Sequence, residues 1–64
     1  MSKLRISLTE DREDIKGQVQ LDGPMYFALE CLALAIDTLA KSSKVDPVEF
    51  ARDLYFVVKE NQEN

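Results

Sequence analysis

The sequence lacks histidine and tryptophan entirely and contains one cysteine, Cys31, in 64 residues. A single cysteine excludes an internal disulfide. The absence of histidine removes the commonest zinc ligand and the commonest general base. Two glycines and two prolines are too few for a glycine-rich loop that would cradle a phosphate. We therefore predict that the protein is not an enzyme and has no catalytic residue, no cofactor and no metal.

Basic residues are outnumbered by acidic ones. The sequence has 8 Lys and Arg and 12 Asp and Glu, which gives a net charge of −4. Nucleic-acid binders normally carry a basic face, so this balance argues against nucleic acid as a partner. The apolar stretch over residues 25–40 contains Glu30 and Asp37 and is shorter than the roughly 20 apolar residues that cross a bilayer. With no leader segment and one unpaired cysteine, we expect a cytoplasmic protein that does not enter a membrane.

The length of the chain limits its core. Residues 1–64 form one small domain at most, and a core of this size is marginal for stability on its own. Short chains usually gain further stability from disulfides, a metal or a second subunit. Since the composition argues against the first two, we predict a homodimer.

The first 22 residues alternate between apolar and polar side chains, with the period of two that is typical of half-buried strands. The two runs are KLRISLT and IKGQVQLD. The charged segment Glu10–Asp14 between them predicts the tip of an antiparallel hairpin, and Gly17 predicts a bulge or a close backbone approach. The acidic tip lacks the spacing and the glycine of a calcium loop, so we interpret its carboxylates as solvated.

Two helices are predicted after the hairpin. Pro24 suits a first helical position and predicts a helix over 24–41. The run DPVE is an aspartate version of the capping box and predicts a second helix over 46–61, with a frayed tail at 62–64. The predicted fold is therefore α+β, with the order β-β-α-α and the β-hairpin packed against an antiparallel two-helix hairpin.

The first predicted helix is apolar almost all the way round. At about 100° per residue, Glu30, Asp37 and Lys41 form one narrow charged stripe. We expect the opposite face to be core, and its members are Met25, Ala28, Leu29, Leu32, Ala35, Ile36 and Leu39.

Apolar side chains also lie beside the charged residues. Phe27 and Leu34 are on one flank of the charged stripe, with Cys31 beyond them, and Phe56 falls among charged residues of the second helix. Contiguous exposed apolar surface usually marks an interface. We predict an interface that includes Phe27, Cys31, Leu34 and Phe56, with Cys31 as a structural thiol. The outer edge of the first strand, Leu4–Leu8, is the other candidate dimer contact, because the unpaired backbone groups of an edge strand can hydrogen-bond to a strand of another chain.

An alternative comes from the order of the elements. A strand followed by two helices is also the order of ribbon-helix-helix repressors, in which outward polar strand residues enter the major groove. Here Lys16, Gln18 and Gln20 would contact the bases. The acidic start of the second helix, the additional first strand and the net charge all count against this DNA-binding alternative.

The main functional hypothesis is a small non-enzymatic interaction or adaptor protein that acts as a homodimer and binds an unidentified protein partner. Short, mildly acidic proteins without cofactors often come from phages or other mobile elements and bind host proteins. We include that origin in the hypothesis.

Overall fold

The computed structural model describes residues 1–63, and the side chains of residues 1–62. The chain forms strand β1 (Lys3–Asp11), strand β2 (Asp14–Asp22), helix α1 (Met25–Ser42) and helix α2 (Pro47–Glu63). The predicted α+β class and the order β-β-α-α are confirmed. Asn64, the last residue of the predicted frayed tail, lies outside the described residues, whereas the two residues before it continue α2.

The two strands form an antiparallel hairpin with an unbroken register from Lys3 opposite Asp22 to Asp11 opposite Asp14. Residues directly opposite each other share a face of the sheet. One face is therefore mostly apolar, and it carries Leu4, Ile6, Leu8, Ile15, Val19 and Leu21. The other face is polar throughout, and it carries Lys3, Arg5, Ser7, Thr9, Asp11, Asp14, Lys16, Gln18, Gln20 and Asp22.

The hairpin turn consists of Arg12 and Glu13. Both residues have positive φ, 53° and 74°, as a two-residue type I′ turn requires. The turn thus falls inside the segment that the sequence predicted as the hairpin tip. The acidic and basic side chains stay exposed there.

Gly17 is a close backbone approach and not a bulge, because it pairs with Leu8 in the continuous register. Its φ is +151°. A Cβ at this position would overlap the backbone carbonyl of Ser7 and would lie 2.9 Å from the Cα of Leu8. Only glycine fits this backbone without a shift of the neighbouring strand.

Helix α1 ends in a Schellman motif. The Val45 N–H donates to the Ala40 carbonyl (2.9 Å) and the Lys44 N–H donates to the Lys41 carbonyl (3.2 Å). Lys44 takes the left-handed conformation that this motif requires, with φ +59°. The chain therefore leaves α1 in a defined direction although no glycine occupies the position after the helix.

Helix α2 starts as the sequence predicted. The Glu49 N–H donates to Asp46 Oδ2 (3.3 Å), and the Phe50 N–H donates to the Asp46 carbonyl (3.0 Å). Asp46 is thus the N-cap and Pro47 the first helical residue. The start of α1 differs by one residue from the prediction, because α1 begins at Met25 rather than at Pro24.

The residues group into two compact units. The first, Met1–Cys31, holds the β-hairpin and the first turns of α1, and its least exposed apolar side chains are Leu4, Phe27, Ala28 and Cys31. In the second, from Leu32 onward, the rest of α1 and α2 pack together beside their connecting loop. Ala40 is fully buried there, and Ile36, Pro47 and Phe50 are half-buried.

The predicted core face of α1 is only partly covered. Ala28 is buried and Ile36 half-buried, as expected. Met25, Leu29, Leu32 and Leu39 are between 41% and 66% exposed, so the prediction that they form core is wrong for the single chain. The described chain therefore covers only part of the face that the apolar pattern marks.

Candidate interaction surface

Five apolar residues of α1, four of them exposed and Ile36 half-buried, lie in one stripe with regular spacing. Met25, Leu29, Leu32, Ile36 and Leu39 follow one another at intervals of 4, 3, 4 and 3 residues. This is the spacing of the a and d positions of a heptad repeat, which places all five side chains on one side of the helix. We call these five residues the α1 seam.

Small side chains border the α1 seam on both sides. The positions next to it in the heptad (e and g) are Tyr26, Ala28, Ala33, Ala35, Ala40 and Ser42. Except for Tyr26, none extends beyond a methyl or hydroxymethyl group. Two of them, Ala28 and Ala40, are already buried within the chain.

The charges of α1 lie away from the seam. At about 100° per residue, Glu30, Asp37 and Lys41 centre about 140° from it. Lys41 Nζ pairs with Asp37 Oδ2 at 3.0 Å along the helix, an i, i+4 ion pair. The seam can therefore lose contact with water without any charge of α1 being desolvated.

The residues that the sequence singled out as an interface are in two different environments. Leu34 and Phe56 are exposed, at 69% and 51%. Phe27 and Cys31 are half-buried within the first unit. Their role as an interface stays a prediction. The sequence reasoning missed the α1 seam because it took those residues for core, although the 4-3-4-3 spacing was already visible in the sequence.

The apolar face of the β-hairpin is a second uncovered surface. Ile6, Leu8, Ile15 and Val19 are all about half exposed or more. A two-stranded hairpin is marginally stable in water unless its apolar face packs on something. At the turn, this apolar face ends beside the exposed charged residues Asp11, Arg12, Glu13 and Asp14.

The polar face of the β-hairpin holds the three residues of the DNA-binding alternative. Lys16, Gln18 and Gln20 lie on it together with Arg5, which is directly opposite Gln20. Lys16 Nζ lies 3.8 Å from Asp11 Oδ2, and both side chains are largely exposed, so this ion pair adds little stability. A shallow groove of about 580 Å³ runs beside Lys3, Arg5, Gln20, Leu21 and Asp22.

Helix α2 adds a smaller apolar groove of about 230 Å³, lined by Phe50, Asp53, Leu54 and Val57. On another part of the same helix, the rings of Tyr55 and Phe56 meet edge to face with centroids 5.3 Å apart. This arrangement is favourable for aromatic pairs.

Large apolar side chains stay exposed on the β-hairpin, on α1 and on α2. Contiguous exposed apolar surface usually marks an interface.

No family model, curated protein or solved structure matches this chain. Within residues 1–63, none of the helices combines the length and the apolarity that crossing a membrane requires. The same residues include no group of three or more cysteine and carboxylate side chains placed to hold a metal ion.

Proposed function

We propose that the protein is a small, non-enzymatic interaction protein that acts as a homodimer and, in that form, binds a second protein. The observation that carries the proposal is the exposure of large apolar side chains on every element, including Ile15 on the β-hairpin, Leu29 on α1 and Val48 on α2.

The energetics support a second subunit. Burial of apolar surface contributes about 25 cal/mol per Å², so covering several hundred Å² in each chain stabilises the fold by on the order of 10 kcal/mol before the costs of association. Among the described residues only Ala28 and Ala40 are buried, so the chain has little core of its own there. A cytoplasmic location and a phage or other mobile-element origin belong to the same hypothesis.

Light scattering coupled to size exclusion tests the dimer. We expect a mass twice that of the 7.3 kDa chain, persisting at low micromolar concentration. A monomeric mass with a cooperative thermal transition would contradict the proposal, because the apolar surface would then be covered within one chain.

Affinity capture from the native host, followed by quantitative mass spectrometry, tests the second partner. Phe56→Ala should reduce recovery of a stoichiometric partner, because Phe56 is the aromatic residue predicted to contact it. Val48→Ala is a matched control, since Val48 is also an exposed apolar residue of α2. Equal recovery with both variants would exclude Phe56 as a contact, and no stoichiometric partner in any salt condition would end the adaptor hypothesis.

A DNA-binding regulator is the second candidate. The observation that favours it is the shared polar face of the β-hairpin, on which Lys16, Gln18 and Gln20 lie beside Arg5. Fluorescence anisotropy with a random-sequence duplex at low salt is the test. Even non-specific binders reach about 10⁻⁴–10⁻⁶ M at physiological salt, so no binding below about 10 µM at low salt would exclude this function.

A further inference from the structure

We infer that a second copy of the chain pairs with the first along the outer edge of β1. The two β1 strands run antiparallel, with Ser7 of one copy opposite Ser7 of the other at the two-fold axis. The two β-hairpins then form one four-stranded antiparallel sheet. This inference rests on the proposed homodimer and names the contact that forms it. All the residues involved belong to the β-hairpin, which lies within the first compact unit.

The outer edge of β1 is open along its whole length. In the part of the chain that the structure describes, the sheet has two strands, and every residue of β1 except Leu4 is exposed. Natural sheets protect such edges with proline, bulges or very short strands. β1 has nine residues, no proline and an unbroken register. Since a sheet of three or more strands is much more stable than a lone hairpin, this edge favours another strand as its partner.

The turn of the β-hairpin determines which backbone groups of β1 point outward. A two-residue turn is closed by a hydrogen-bonded pair, which here is Asp11 and Asp14. Hydrogen-bonded and non-hydrogen-bonded pairs then alternate along the two strands. The residues whose N–H and C=O groups face the outer edge are therefore Leu4, Ile6, Leu8 and Glu10.

Placing Ser7 at the axis uses all of these outward groups. Leu4 of one copy then pairs with Glu10 of the other, and Ile6 pairs with Leu8. A shift that puts Ile6 at the axis would move Glu10 opposite residue 2, which lies outside β1. The register centred on Ser7 thus gives the largest number of hydrogen bonds between the two strands.

The charges of β1 are self-complementary in this register. The strand is basic at its start, with Lys3 and Arg5, and acidic at its end, with Asp11. Antiparallel pairing places Lys3 directly opposite Asp11 of the other copy, and the two-fold axis repeats the pair. Opposite charges at directly opposed positions stabilise a sheet, whereas like charges destabilise it. Within each β-hairpin Asp11 faces Asp14, so Lys3 of the other copy also offsets that repulsion.

Other pairings of the strands are less favourable. A parallel pair of β1 strands in register would place Lys3 beside Lys3 and Asp11 beside Asp11. The outer edge of β2 has Asp14 and Asp22 at its two ends, so antiparallel self-pairing of β2 would oppose these aspartates. Pairing of β1 with β2 of the next copy is head-to-tail and leads to an open filament unless it closes into a ring. The charges therefore favour a closed dimer through β1.

Disulfide formation by single-cysteine variants tests the contact. The parent is Cys31→Ser, and light scattering first compares its mass with that of the wild type. Side chains directly opposite each other in a non-hydrogen-bonded pair have Cβ atoms about 4.5–5.5 Å apart, close to the separation in a disulfide. Ser7→Cys in this parent should therefore give a covalent dimer under mild oxidation.

Gln18→Cys is the matched control. Gln18 lies directly opposite Ser7 on the same face of the β-hairpin, and both residues are exposed. In the proposed sheet the two copies of Gln18 are three strand spacings apart, about 14 Å, which is too far for a disulfide. This variant should stay unlinked under the same oxidation.

Charge exchange in the wild-type chain tests the register without any new cysteine. Lys3→Glu alone and Asp11→Lys alone should each weaken the homodimer several-fold at low salt, because each creates two like-charge pairs. An equimolar mixture of the two variants should recover the dimeric mass, since both pairs of the heterodimer have opposite charges. Damage within one β-hairpin would not be repaired by mixing, so recovery reports a contact between copies.

Each outcome supports or overturns the inference. A disulfide through Ser7→Cys but not through Gln18→Cys, together with recovery in the mixture, supports it. A disulfide through Gln18→Cys instead would move the contact to another surface, and a mass above that of a dimer would indicate head-to-tail pairing of β1 with β2. A dimeric wild type with neither the Ser7→Cys disulfide nor recovery would overturn the inference alone. A monomeric wild type would overturn the proposed homodimer as well.

Discussion

Val45 donates its backbone N–H to the carbonyl of Ala40 at 2.9 Å, which closes the Schellman motif at the end of α1. The motif requires a left-handed residue between them, and Lys44 fills that position with φ +59°. A left-handed conformation costs a residue with a Cβ roughly 1–2 kcal/mol, whereas glycine adopts it freely.

Lys44→Gly should therefore raise the free energy of unfolding by up to about 1 kcal/mol, after the larger chain entropy of glycine is subtracted. Urea denaturation at a fixed protein concentration measures the change, because the stability of an oligomer depends on concentration. Lys44→Ala is the control and should change little. An equal gain with alanine would show that the lysine charge, and not its backbone conformation, lowers the stability.

The N-cap of α2 yields a second prediction. Asp46→Ala removes the acceptor of the Glu49 N–H and should lower the free energy of unfolding by about 1 kcal/mol. Asp46→Asn keeps a good capping oxygen and should stay close to the wild type. Thermal melts followed by circular dichroism compare the two variants. If asparagine were as destabilising as alanine, the charge at the positive end of the helix dipole would be the main contribution.

The turn of the β-hairpin yields a third prediction. Arg12 and Glu13 both have positive φ, which Asn-Gly adopts at much lower cost in a type I′ turn. Replacing them together by Asn-Gly should raise the free energy of unfolding by about 1 kcal/mol. Chemical denaturation measures it. The double alanine variant removes both charges but keeps the strained backbone, so a similar gain there would assign the effect to charge repulsion at the acidic tip.

Gly17 yields a fourth prediction, of the opposite sign. Gly17→Ala should lower the free energy of unfolding by about 2 kcal/mol or more, because the added Cβ overlaps the Ser7 carbonyl and the backbone is at positive φ. Gln18→Ala, at the next position of the strand, is exposed and should stay within about 0.5 kcal/mol of the wild type. Similar losses for both variants would show that the glycine backbone is not the constraint.

Much of the local structure could be predicted from the sequence because the physical causes are local. The alternation in the first 22 residues was sufficient to place the hairpin and to separate its apolar face from its polar face, since the side-chain period of a strand is two. Asp46, Pro47 and Glu49 marked the start of α2, because a cap depends only on residues within one turn. The Schellman motif after α1 was not predicted, since its left-handed residue is a lysine rather than the usual glycine.

The sequence by itself determined the elements, their order and the small number of groups able to perform chemistry. The register of the β-hairpin was not predicted, because it follows from the two-residue turn at Arg12 and Glu13. Only the tertiary structure decided which apolar side chains are covered. Helix α1 is apolar almost all the way round, so its pattern does not indicate which side faces the rest of the chain. In the structure Ala28 and Ala40 are buried while Leu29, Leu32 and Leu39 stay exposed. Burial depends on contacts between distant parts of the chain, and the pattern of a helix that is apolar on almost all sides does not specify those contacts.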